Sequence, residues 1–250
     1  MFQSDSKDSI ANGFDQSVIQ ITDHLDQILA RVTQASIRSG RSVDDIRIVA
    51  VSKSQPVEAI RQIVDAGIHD IGESYVAEAL AKQAQLEDAP ITWHFIGHIQ
   101  ANKTRSIAEH FAWVHSVDRA RIAQRLSDQR PHHAPPLNVL IQVNISNEPQ
   151  KSGVPPGEAE ALARVIASLP RLRLRGLMAI PAPEEDAART RASFERVHGL
   201  ALELATKGLN MDTLSMGMSG DFEEAIAAGS NCVRIGTALF GPRERTAMQP

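Results

Sequence analysis

The chain has 250 residues, 42% hydrophobic, 22% charged and 4% aromatic, and 26 basic against 30 acidic side chains give a formal charge of −4. At about 150 residues per domain this composition suits one or two globular domains, or a single α/β barrel of about 250 residues. Neither sign of charge forms a long block, which argues against a nucleic-acid partner, and no run approaches the ~20 apolar residues of a membrane helix.

Cys232 is the chain's one cysteine, which excludes an internal disulfide and any multi-cysteine zinc or iron–sulfur site. The opening MFQSDSKDSI lacks the basic-then-apolar order of a signal peptide, so a reducing, cytoplasmic setting is expected.

Residues 1–13 are polar and read as a flexible tail, leaving 14–250 as a single domain. From Ser17 to Ser39, Val18, Ile21, Leu25, Ile28, Leu29 and Val32 recur at three- and four-residue intervals, the pattern of an amphipathic helix. Eight short runs rich in Val, Ile and Leu follow, at residues 46–52, 69–73, 92–97, 113–117, 138–145, 173–180, 213–217 and 232–236. Between them lie helix-period segments beginning near Pro56, Tyr75, Asn102, Asp118, Pro156, Glu184 and Asp221. Pro56 and Pro156 suit a first helical turn, and Asp221 followed by Glu224 resembles a capping box.

This alternation predicts an α/β fold, a (β/α)8 TIM barrel with an additional N-terminal helix. The rival, an open doubly wound sheet, carries a glycine-rich phosphate loop after its first strand. Neither GxGxxG nor GxxxxGK[ST] occurs here.

In such a barrel the reactive residues stand at the carboxyl ends of the strands. Of the six lysines, Lys53 alone ends a buried strand, in VAVSKSQP; the others fall in tails, helices or polar loops. Burial at a barrel mouth favours a neutral amine that attacks a carbonyl, whereas a lysine stem covering the rim would keep its charge in water. The loops after strands seven and eight, LSMGMSGDFEEAI and CVRIGTALFG, offer Gly217, Ser219, Gly220, Gly236 and Thr237. They form either a phosphate nest or ordinary glycine turns. Arg234, inside the last strand, needs a partner. Two suit it: a barrel carboxylate such as Glu73, or a pyridine nitrogen, which must then stay unprotonated because arginine only donates.

The segments VAVSKSQPVEAI, GESYVAEAL, WHFIGHIQANK, VNISNEPQKSGV, GLMAI, LSMGMSGDFEEAI and VRIGTALFG, in order from Ile46 to Arg243, resemble the YggS/PROSC family of pyridoxal phosphate homeostasis proteins. The resemblance implies a fold type III barrel, like the amino-terminal domain of bacterial alanine racemase, that binds pyridoxal 5'-phosphate. It places the cofactor lysine on Lys53, the phosphate contacts on Ser219, Gly220, Gly236 and Thr237, and the ring-nitrogen arginine on Arg234. Met216, in the matching MGMS segment, is expected to line the ring pocket. The family's GENY reads GESY here, so Ser74 replaces an asparagine near the cofactor, and a contact is lost or passed to water.

His94 and His98 are expected in packing or loop hydrogen bonds, or against the cofactor. His132 and His133 have no neighbours to complete a metal site. Lys151 matches a family lysine and reads as a solvated loop charge or a rim residue that handles the aldehyde. The chain ends soon after Gly241, which leaves no room for the second domain with which alanine racemases supply a catalytic tyrosine, and its one tyrosine is Tyr75. A non-catalytic monomeric carrier that serves apoenzymes is therefore expected. A small amino-acid racemase and a sugar-phosphate aldolase are the alternatives.

Overall fold

A computed structural model describes residues 8–146, 148, 151–182 and 186–241, with side chains from residue 21 onward. Eight parallel strands close into a barrel in chain order: β1 (Arg47–Val51), β2 (Asp70–Glu73), β3 (Thr92–Phe95), β4 (Trp113–Val117), β5 (Leu137–Val143), β6 (Leu172–Ala179), β7 (Thr213–Ser215) and β8 (Cys232–Ile235). Closure is made by β8 pairing back onto β1, with Val49 beside Arg234.

The helices are α1 (Asp8–Arg38), α2 (Val57–Asp65), α3 (Val76–Gln83), α4 (Thr104–His110), α5 (Ala120–Gln129), α6 (Ala159–Ser168), α7 (Ala187–Thr206), α8 (Phe222–Ala227) and α9 (Thr237–Phe240). None is long and apolar enough to cross a membrane. The fold is the predicted (β/α)8 barrel with an added helix: α1 lies against α2, α8 and α9. It buries Ile21, Leu25, Ile28 and Val32, the stripe visible in the sequence.

Three local expectations change. The N-terminal helix begins at Asp8 rather than Ser17, so residues 8–13 of the predicted tail are helical, while 1–7 lie outside the described residues. Once the packed turns from Ile21 are in place, extending a helix adds a hydrogen bond per residue even where no apolar stripe continues. Pro56 is the cap before α2 rather than a first-turn residue. The capping box at Asp221 is absent: its Oδ1 accepts from Met218 N–H at 2.6 Å, bracing the preceding loop. Glu184, where α7 was expected to begin, lies outside the described residues, and Asp186 caps that helix by accepting from Ala188 N–H at 2.8 Å.

The apolar core fills the space between strands and helices, and close backbone approaches tie the mouth loops together. At Gly97, after β3, a Cβ would strike the Ser74 carbonyl after β2. Gly97→Ala must therefore push two loops apart. It is expected to cost about 3 kcal/mol and to lower the melting temperature by roughly 5–10 °C in a calorimetric scan.

Candidate functional site

Alternation along each strand, read with the register between strands, fixes which side chains face the barrel interior. Arg234 faces inward beside Val49, and the next inward position of β1 is Val51. A Cβ on Gly236 would rest 3.5 Å from Val51. Lys53, the following residue in that alternation, stands half-buried in the turn that leaves β1. The end of β1 is thus brought beside the Gly236–Ala238 segment that leaves β8.

The Lys53 turn is held from below. Ser54 adopts a left-handed φ of 62°, its N–H donates to Glu78 Oε1 at 2.5 Å, and Gln55 N–H donates to Ser52 O at 3.0 Å. Lys82 Nζ donates to Glu78 Oε1 and Glu73 Oε1, each at 2.7 Å, and to Ser52 O at 2.6 Å. Ser52 Oγ–H donates to Glu73 Oε1 at 2.6 Å. All three ammonium protons of Lys82 are engaged, so its nitrogen has no lone pair to offer.

From sequence Lys82 reads as one of the helix lysines, yet it is 6% exposed and clamps the turn that carries Lys53. The available signal was the Glu78–Lys82 spacing of four combined with a carboxylate ending β2. Burial, offset only in part by the bonds from Lys82 and Ser52, holds the Glu73 carboxyl above its ordinary value.

Arg234 is 4% exposed and has no carboxylate partner among the described residues. Its Nη1 donates to Ser215 O and Ser215 Oγ, both at 2.6 Å, and its Nη2 donates to Ala179 O at 3.1 Å. The alternative bridge to Glu73 does not form: Glu73 shares the outward parity of Ile71, where its Oε1 meets Lys82 and Ser52, whereas Arg234 faces the barrel interior. Burial lowers the guanidinium below its ordinary range.

At the ends of β7 and β8, the backbone N–H groups of Gly236 and Ala238 converge on Ser219 Oγ at 3.3 and 3.2 Å. Gly220 is exposed, and a Cβ there would meet nothing within 4 Å; Thr237, which opens α9, is also exposed. Two amide donors aimed at one oxygen beside open space are suited to an anion. The Ala238 N–H was not readable from sequence, since a backbone donor leaves no side-chain signature.

Ser74 is half-buried directly after β2, with its carbonyl against Gly97. Met216 is not brought to the mouth. Ser215 faces inward, so the next residue faces outward, and Met216 is 0% exposed in the core between the barrel and its helices. His94 is buried inside the barrel, His98 lies exposed 3.5 Å from Ser152 Oγ, and His132 and His133 are exposed. Lys151 pairs with Glu148 at 2.8 Å rather than standing alone in solvent. Its neighbours Asn147, Pro149 and Gln150, like Arg243, lie outside the described residues. Among the described residues no cluster of His, Cys, Asp or Glu could hold a metal ion.

The family profile described as "Alanine racemase, N-terminal domain" matches residues 24–244. A pyridoxal phosphate homeostasis protein of Pseudomonas aeruginosa is 54% identical over 224 residues, 90% of this chain and 96% of that protein. Its Escherichia coli K12 counterpart is 51% identical over 90% of this chain and 97% of that protein. Among solved structures, PipY of Synechococcus elongatus with PLP bound superposes with a TM-score of 0.75 at 38% identity, covering 86% of this chain and 100% of that one. Alanine racemase from Corynebacterium glutamicum shares the fold, with a TM-score of 0.62 at 17% identity over 90% of this chain and 63% of that one.

Proposed function

This chain belongs to the alanine racemase N-terminal domain family, among the pyridoxal phosphate homeostasis proteins, and we propose that it binds pyridoxal 5'-phosphate as a homeostasis protein, held on Lys53 without catalytic turnover. The observation that carries this reading is Arg234, a buried cation with no carboxylate partner among the described residues, on the strand next to the one whose exit turn carries Lys53.

The residues present fit the cofactor. Bound pyridoxal phosphate supplies an aldehyde that condenses with a lysine amine, releasing water, and an electron-accepting ring. In our reading Lys53 provides that amine. Gly236 N–H, Ala238 N–H and the Ser219 hydroxyl hold the phosphate, with Gly220 and Thr237 leaving it room. Arg234 donates to the ring nitrogen; because an arginine has donors and no acceptor, the nitrogen must present its lone pair, so it stays unprotonated and the ring remains a weak electron sink. Ser74 stands nearest the ring substituents, with water completing contacts that its short side chain does not reach.

Binding without turnover is supported by the names of the relatives and by Tyr75, the chain's one tyrosine, whose side chain is 63% exposed. Cys232 is buried, and burial pushes its thiol up to about 11, which suits a reduced cysteine in the cytoplasm. A monomer that releases the cofactor to apoenzymes completes the reading.

Borohydride reduction of the protein loaded with pyridoxal phosphate, followed by peptide mass spectrometry, tests it. The adduct is expected on Lys53. An adduct confined to Lys82 or Lys151 would contradict the assignment, and substrate α-proton exchange well above that of free cofactor and dependent on Lys53 would favour a racemase.

A further inference from the structure

The interior of a (β/α)8 barrel is ordinarily filled by layers of branched apolar side chains. Here a line of polar side chains runs through it. Ser215 Oγ, which accepts from Arg234 Nη1 at 2.6 Å, lies 2.9 Å from His115 Nδ1. His115 Nε2 lies 2.9 Å from His94 Nδ1, and His94 Nε2 lies 2.7 Å from Asp70 Oδ1. The five residues come from β8, β7, β4, β3 and β2, and Asp70 is the first residue of its strand, at the opposite end of the barrel from the mouth. His94 and His115 are both 0% exposed.

Counting protons gives this line a direction. Arginine only donates and a carboxylate only accepts. With both imidazoles neutral, one assignment supplies each contact with one proton and one lone pair. Arg234 donates to Ser215, Ser215 Oγ–H to His115 Nδ1, His115 Nε2–H to His94 Nδ1, and His94 Nε2–H to Asp70. Moving the His94 proton to Nδ1 would set the lone pair of Nε2 against the carboxylate.

The charged and titratable groups around the line are consistent with neutral rings. Arg47 of β1 lies 3.7 Å from Asp70 and, with Arg175 of β6, flanks Trp113, each guanidinium 4.8 Å from the ring. Trp113 stacks on His94 at 5.5 Å, Cys232 of β8 adjoins Ser215, and Arg175 is paired with Asp212 at 2.9 Å. Burial first, then Arg47 and, for His115, also His94 and Arg234, lowers both histidines, while Asp70 opposes the shift at His94.

We propose that Asp70, His94, His115 and Ser215 are positioning residues for Arg234, forming a one-way hydrogen-bond chain anchored on Asp70 that fixes the Ser215 hydroxyl and the guanidinium plane presented to the ring nitrogen. This rests on the ring-nitrogen role given to Arg234 above.

Long-range 15N–1H correlation spectra of the protein without cofactor test the chain by itself. Both histidines are expected as neutral Nε2–H tautomers near neutral pH; an imidazolium or an Nδ1–H ring at either position would overturn the chain. Asp70→Asn keeps an acceptor and removes the charge, and should move part of the His94 signal to the Nδ1–H form. With pyridoxal phosphate as the probe, Asp70→Asn and His115→Phe should shift the visible band and weaken binding by about 10-fold or less, the scale of one lost hydrogen bond. If Arg234→Ala moves that band while neither other variant does, the chain does not position Arg234. If Arg234→Ala also leaves the band unmoved, the ring-nitrogen role fails, and the tautomers still decide whether the chain exists.

Discussion

Lys82→Met is expected to destabilise the protein by roughly 4 kcal/mol and to lower its melting temperature by about 10 °C near pH 8. The substitution keeps most of the side-chain volume but strands Glu73, whose side chain is 0% exposed, beside Glu78 with no cation between them. The penalty should depend on pH. Burial already raises Glu73 above its ordinary value of 4.5, and deleting Lys82 removes both a hydrogen bond and a charge that pull it down. A carboxyl raised in the folded state stabilises that state when protonated. This contribution is present below the ordinary value and is lost as pH rises through the raised one. The variant's deficit should therefore be small near about pH 5 and grow toward about pH 8. Melting curves across that window check the sign, and an equal deficit at both ends would contradict it. Capture of pyridoxal phosphate should fall as well, because Glu78 holds the Ser54 N–H and Lys82 holds the Ser52 carbonyl on either side of Lys53.

Arg234→Ala is expected to shift the visible band of the bound cofactor and to weaken binding by about 10- to 100-fold, the range for a hydrogen bond from a charged donor. The loss should fall on the ring and spare the phosphate. Pyridoxal, which lacks the phosphate, should lose affinity by the same factor as pyridoxal phosphate. Ser219→Ala, by contrast, should weaken only the phosphorylated compound, since the Ser219 hydroxyl meets the Gly236 and Ala238 amides, whereas the Arg234 guanidinium meets Ser215 and Ala179. Parallel titrations of the two variants with both compounds give the comparison. Equal loss of phosphate attachment in Arg234→Ala would remove its ring-nitrogen role.

Most of the barrel was legible because parallel strands buried on both faces read as short apolar runs, and all eight runs overlap the strands observed. Parity within a strand was less legible. Thr213, Leu214, Ser215 and Met216 alternate polar and apolar, but alternation alone does not say which set faces the barrel interior; the polar set does, so Ser215 anchors Arg234, while Met216, expected at the ring pocket from the family's MGMS segment, packs outward in the core. Partner choice was hidden for a related reason. That Glu73 takes Lys82 rather than Arg234 depends on α3 folding back against β2, a tertiary contact. The His94–His115 pair was equally invisible, since the two residues are 21 apart in sequence and meet only when β3 pairs with β4.

The central claim is that Lys53 captures pyridoxal phosphate at a mouth whose last two loops hold its phosphate. Visible absorbance of the purified protein during titration with pyridoxal phosphate, compared with Lys53→Ala, tests it most directly. The band of the lysine-bound cofactor should develop in the natural sequence and be missing in the variant, while equilibrium dialysis still detects weaker retention through the phosphate loops. The same band persisting in Lys53→Ala would contradict the account.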